Sequence, residues 1–138
     1  MYLSSLLALI PLSYAAVVDC RHRIIPNTAV ALIALCALSG VAMSERSVRG
    51  ILMGGIGMGA FLLLAASAAR CELGGGDFKL SVALGMLFGF GTALSMFTGA
   101  LVLMLVYGKL KRVETMPFAP FLFLSVVVYL LFHYSEGV

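Results

Sequence analysis

Apolar residues in this chain come in long unbroken runs, and the charges are confined to short segments beside them. Charge-free stretches cover residues 1–18, 28–44, 50–69, 80–108 and 115–135. A helix needs roughly 20 apolar residues to cross a bilayer core of about 30 Å, and four of the five runs are of that order. The fourth run has 29 residues. As one helix it would rise about 43 Å, so it is either one strongly tilted helix or two short ones turning near Gly89-Phe90-Gly91-Thr92. The pattern predicts an all-α, polytopic membrane helix bundle of five or six spans.

Positive charge decides between the two counts, because Lys and Arg collect on the inner side of a membrane. With six spans and the N-terminus outside, Arg21, Arg23, Arg70, Lys79, Lys109, Lys111 and Arg112 face inward and only Arg46 and Arg49 face outward. With five spans the last cluster changes sides and the bias disappears. Six spans with both termini outside are therefore expected. In that arrangement Asp19 and Asp77 lie on the same, cytoplasmic face.

Composition narrows the class further. The chain of 138 residues is 62% hydrophobic and 11% charged, with a mean hydropathy of +1.12. Lipid must solvate so apolar a surface, so residues 1–138 are expected to form a single integral-membrane domain with no separate soluble domain. The net charge of +3 comes with no basic stripe or aromatic platform, which argues against a nucleic-acid partner. Cys20, Cys36 and Cys71 form no C-x-x-C pair and have no histidine at zinc-finger spacing, so neither a structural disulfide nor a metal site is expected. Residues 1–18 lack a positive n-region and read as a retained span.

The candidate chemistry lies in two aspartates. Asp19 ends the first run, in Asp19-Cys20-Arg21-His22-Arg23-Ile24-Ile25-Pro26-Asn27, and Asp77 opens the fourth, in Gly74-Gly75-Gly76-Asp77-Phe78-Lys79-Leu80. Paired carboxylates hydrolyse an amide when one is protonated, one is ionised and both hold the same water. A helix N-terminus and nearby Lys79 favour negative charge on Asp77, whereas the C-terminal end of an apolar helix disfavours it on Asp19. Asp77 is accordingly expected to be the more acidic and Asp19 to carry the proton. Taken singly, Asp77 also reads as a helix N-cap, and Asp19 as an interfacial charge compensating Arg21 or Arg23. Gly54, Gly55, Gly57, Gly59, Gly85 and Gly89 read as helix-packing positions. His22 and His133 read as interfacial or packing residues.

These motifs together resemble the type IV prepilin peptidases, polytopic aspartic peptidases of the G-x-G-D class. The segment Met116-Pro117-Phe118-Ala119-Pro120-Phe121-Leu122 is similar to that family's P-F-G-P-F-L, with Ala119 in place of glycine. The resemblance implies catalytic roles for Asp19 and Asp77, with support from Gly74, Gly76 and Lys79, and no cofactor. It implies cleavage of the leader of a prepilin or pseudopilin at the cytoplasmic face of the inner membrane. Longer members carry an N-terminal insert with paired C-x-x-C motifs and also methylate the new N-terminus. Here only eight residues separate Asp19 from Thr28, so the chain is similar to the short form serving Flp-type pili, with peptidase activity alone. Archaeal preflagellin peptidases share this core, and presenilin-like peptidases share G-x-G-D.

The rival class is a non-enzymatic transporter or assembly scaffold, because intramembrane acids also mark proton and ion paths. That reading expects acids near the bilayer midplane and an internal repeat. This chain has both acids at one interface and shows no convincing repeat.

Overall fold

The computed structural model describes residues 2–44, 46–70, 72, 74–113 and 116–137, the side chain of Tyr2 excepted. Cys71 therefore lies outside the described residues. The described chain folds into α1 (Tyr2–His22), α2 (Asn27–Ala42), α3 (Val48–Ala69), α4 (Gly75–Phe88), α5 (Phe90–Lys111) and α6 (Ala119–Glu136). Leu3–His22, Val48–Ala69, Phe90–Lys111 and Ala119–Glu136 are long and apolar enough to cross a membrane, and Asn27–Ala42 is a shorter apolar helix.

The long fourth run is two helices. The break falls at Gly89, whose φ of +88° lies where side-chain-bearing residues are disfavoured and glycine is not. Gly89 donates its N–H to the carbonyl of Gly85 and accepts from the N–H of Ala93, so one residue closes α4 and opens α5.

The segments α1–α2, α3–α4 and α5–α6 all contribute residues to one cavity. The six helices therefore alternate in direction, and α1 begins and α6 ends at the far end of the bundle. Arg23, Arg70 and Arg112 follow α1, α3 and α5 in the left-handed conformation. That conformation commonly ends a helix, and a cation there complements the carbonyl end of the dipole.

At 14 residues, α4 rises only about 21 Å, too little for a full crossing. It is tolerated because it is the inner helix of the bundle, packed against α1, α2, α3 and α5. Leu80, Ser81, Ala83, Leu84, Gly85, Leu87 and Phe88 are all buried. Backbone that falls short of the membrane surface is acceptable where protein rather than lipid surrounds it.

Glycines set the distance between α3 and α4. A Cβ on Gly54 would collide with the Gly85 carbonyl oxygen. One on Gly85 would lie 2.6 Å from the Gly54 oxygen and 2.8 Å from Met58 Cβ. The two backbones touch, as small residues permit where lipid provides little force for association. Outside, Ile10, Leu64, Leu110 and Phe132 are among many exposed large apolar residues, as a lipid-facing surface requires.

Candidate active site

Helical spacing aims each motif residue at the same point. On α1, Ala8, Leu12, Ala15 and Asp19 are all buried and recur at the four- and three-residue steps of one helix face. Asp19 thus ends an inward stripe rather than facing the headgroups. On α6, Ala119, Leu122 and Val126 form the equivalent stripe. On α4, Asp77 sits one turn ahead of buried Leu80 and Ser81.

These elements enclose a cavity of about 450 Å³, lined by both aspartates, Arg23, residues 24–25, Asn27, residues 74–76, Lys79 and residues 116–118. All three sequence motifs meet there. Gly74, Gly76 and Lys79 lie in the wall with Asp77. Arg21, Lys109, Lys111 and Arg112 are not in the lining. His133 stacks on Tyr129, with ring centroids 5.5 Å apart, and His22 is exposed. Among the described residues no three His, Cys, Asp or Glu side chains gather as a metal site would require.

Asp19 is 5% exposed, and its Oδ2 accepts a 2.9 Å hydrogen bond from the backbone N–H of Ala119. Ala119 is the first residue of α6, so this N–H has no partner within the helix. The following residue, Pro120, has no N–H. The N–H groups of Phe121 and Leu122 both bond the Phe118 carbonyl at 3.1 Å. One donor thus remains at the start of α6, and it is spent on Asp19. Because the bond comes from the backbone, alanine in place of glycine at position 119 leaves the donor intact.

Asp77 is the third residue of α4; the cap position belongs to Gly74, so the alternative in which Asp77 caps the helix is set aside. It precedes the apolar run that begins at Leu80, lines the cavity, and belongs to none of the helices long and apolar enough to cross a membrane. Burial, and secondly the charge of Asp19, push its carboxyl up from 3.8 to about 6. This runs against the expectation that the α4 N-terminus and Lys79 keep Asp77 acidic. The α4 N-terminus and Lys79 do not offset desolvation there, while a second helix N-terminus, that of α6, is directed at Asp19. Lys79 Nζ donates to Asn27 Oδ1 at 3.3 Å, linking the first turns of α4 and α2.

The spacing of the glycine motif has a steric basis. A Cβ on Gly76 would lie 3.0 Å from Ile25 Cβ, and one on Gly74 would lie 3.3 Å from Asp77 Oδ2. At Gly75 it would meet nothing within 4 Å. The first and third glycines let the turn close on Ile25 and Asp77, and the middle one is sterically free. Ile25, Asn27 and the Ala119 N–H are site components that residue-type reasoning left without a role, although all three lie within motifs quoted above.

Comparison with protein families gives a match to the type IV leader peptidase family over residues 6–109. The chain belongs to that family. It is a leader peptidase with membrane-capable helices, and the matched region includes both aspartates and the glycine motif. Comparison with curated proteins and with solved structures finds no match.

Proposed function

We propose that this leader peptidase is an aspartic endopeptidase in which Asp19 and Asp77 activate one water. Asp19, ionised and held by the Ala119 N–H, takes a proton from the water. Asp77, protonated, donates its proton to the carbonyl oxygen of the scissile bond. The water oxygen adds to the carbonyl carbon. On collapse of the tetrahedral species Asp19 passes its proton to the leaving nitrogen and Asp77 takes back the proton from the hydroxyl, so the amine leaves, the dyad is restored and no covalent enzyme intermediate forms. The carrying observation is that two acids 58 positions apart line one open cavity. The raised carboxyl of Asp77 supports the division of roles. Gly74, Gly76 and Lys79 hold the turn that carries Asp77.

The substrate in this reading is a prepilin or pseudopilin of the Flp type, cut at the cytoplasmic face of the inner membrane, with both chain termini on the outer side. Arg23, Arg70, Lys79 and Arg112, at the cavity end of the bundle, support that orientation. The reaction is peptide hydrolysis alone, without N-methylation, in a single membrane domain.

Co-expression with a candidate Flp-type prepilin tests the reading. A mobility shift to mature pilin is expected from the unmodified chain and is abolished in Asp19→Asn and in Asp77→Asn at equal protein levels. Processing that survives both substitutions, or no processing at all, overturns it.

A further inference from the structure

Ser81 keeps its hydroxyl unused. It is 1% exposed, and its Oγ has no hydrogen-bond partner among the described residues. Other helical hydroxyls of this protein behave differently. Ser13, Ser39, Ser67, Ser95 and Thr98 each donate to a carbonyl three or four residues back in the same helix, at 2.7–2.9 Å, the ordinary outlet for a hydroxyl within a helix. Ser125 crosses to the Met96 carbonyl of α5 at 2.8 Å. A buried hydroxyl without a partner costs stability that an alanine would not. The neighbouring Leu80, Ala83 and Leu84 are buried and apolar, so packing alone calls for no oxygen here.

The position of Ser81 is what makes the free hydroxyl significant. It follows Asp77 by four residues on α4, so the two share one face of the helix with Cβ atoms about 5–6 Å apart. Helical side chains lean towards the N-terminus of their own helix, which carries the Ser81 side chain over the turn that bears Asp77. Asp77 is half-buried and Ser81 is buried, so the hydroxyl lies on the inner side of the carboxyl. The two aspartates are also held differently. Asp19 accepts the Ala119 N–H, whereas burial and the Asp19 charge act on the Asp77 carboxyl with no hydrogen bond beside them. An acid without a fixing bond thus sits one turn ahead of a hydroxyl without an acceptor.

We propose that Ser81 is a positioning residue for Asp77, donating its hydroxyl to the inner carboxyl oxygen once peptide fills the cavity and thereby turning the other, proton-bearing oxygen to the scissile carbonyl. The inference rests on the aspartic-peptidase reading, in which Asp77 is the acid. Hydrogen bonds of catalytic groups are commonly unmade or long before substrate arrives and tighten in the complex. The bond gains strength during the reaction. It begins as hydroxyl to neutral carboxyl, and as the proton passes to the substrate oxygen it becomes hydroxyl to carboxylate, which is the stronger kind. A contact that strengthens as the proton moves favours the transition state over the bound substrate. The small loss of stability in the empty enzyme is the counterpart of that gain.

The test follows cleavage of a candidate Flp-type prepilin by the full chain in membranes across a range of pH, with melting temperature measured in detergent. In Ser81→Ala, kcat and kcat/KM are expected to fall together by about tenfold or more, the worth of a hydrogen bond to a charged group. The Asp77 carboxylate is then less well stabilised, so the limb on which activity is lost with rising pH moves to higher pH. Asp19, Arg23 and Lys79 are the other charged groups lining the cavity, to which α2, α3 and α5 add none, and all three are retained. The melting temperature stays level or rises, because an unpartnered hydroxyl has been removed. Ser81→Thr, which keeps the hydroxyl, restores most of kcat and returns the limb; if it does not fold, the limb and melting temperature of Ser81→Ala decide the matter. An unchanged kcat in Ser81→Ala, or a fall that comes with a lower melting temperature and an unmoved limb, overturns the assignment and leaves the aspartic reading standing. Processing that survives Asp19→Asn and Asp77→Asn overturns both.

Discussion

Ala119 donates its backbone N–H to Asp19 Oδ2 across 2.9 Å and 100 positions of sequence. The bond joins the last turn of α1 to the first turn of α6 and fixes the rotamer of a buried acid. It also accounts for the only α6 N-terminal donor not used within the helix or removed by Pro120.

The two ways of neutralising Asp19 should therefore differ in stability. In Asp19→Asn the amide oxygen still accepts from Ala119. In Asp19→Ala the buried N–H is left without an acceptor, which costs about 1–3 kcal/mol. Thermal unfolding in detergent is expected to rank the alanine variant clearly below the asparagine variant, and neither is expected to process a prepilin. Equal melting temperatures would show that the bond contributes nothing.

The raised carboxyl of Asp77 gives stability a pH dependence. Between its ordinary value of 3.8 and about 6, the folded protein keeps a proton that the unfolded chain has released. Stability at this site is therefore greatest below that window and falls as pH rises through it. Asp77→Asn removes the loss. The variant is expected to melt above the unmodified chain at pH well over 6, with the gap closing towards pH 4. A gap independent of pH would contradict the assignment.

Activity should follow the same group with a functional sign. If protonated Asp77 is the general acid, the rate rises as pH falls towards about 6, the value to which its carboxyl is pushed. In Asp19→Asn the Asp77 titration, followed by stability against pH, is expected to move down only part of the way, because burial is the larger cause and remains. A full return to 3.8 would make Asp19's charge the dominant cause.

The glycines of the motif should not be equivalent. Gly75→Ala meets no neighbour and is expected to be neutral or to stabilise by about 0.4–1 kcal/mol through the unfolded chain. Gly76→Ala presses on Ile25 and is expected to lower both processing and stability, with Ile25→Ala restoring part of the loss. Equal effects of the two single substitutions in the cleavage assay would refute the steric account.

Further from the site, Gly85→Ala drives a methyl against the Gly54 carbonyl, a backbone contact that cannot rotate away. Overpacking of this kind costs about 1–3 kcal/mol. Separation of α3 from α4 would also move Asp77, so processing is expected to fall with the melting temperature. A variant as stable and active as the original would mean that the two helices slide freely.

Much of this arrangement was legible because it depends on run length and helical period. The apolar runs correspond to helices, and the over-long run divides near the glycines that marked the turn. Asp19 and Asp77 share an end because the over-long run divides, which gives six helices alternating in direction. The raised carboxyl of Asp77 was not legible, because the burial that causes it comes from packing, and the same holds for what surrounds Asp19. A residue at the end of α1 looks poorly placed for negative charge when only its own helix is considered, and the donor that holds it belongs to a helix 100 positions away. Likewise, nothing local to Gly76 shows that Ile25 lies where its side chain would go. Contacts within one turn can be read from the chain, whereas contacts between distant helices need the packing.

The shortness of α4 has a consequence for the surrounding lipid. Its 14 residues cover about 21 Å of a hydrocarbon layer about 30 Å deep. The shortfall is taken up at the end where Arg23, Asn27, Lys79 and the two aspartates replace apolar side chains, as a polar notch let into one leaflet. A thicker bilayer deepens the notch and lengthens the path a leader must travel to reach it, while a thinner one brings the notch to the surface. Acyl-chain length thereby becomes a control on how readily peptide reaches the aspartates, exerted without any contact between lipid and site.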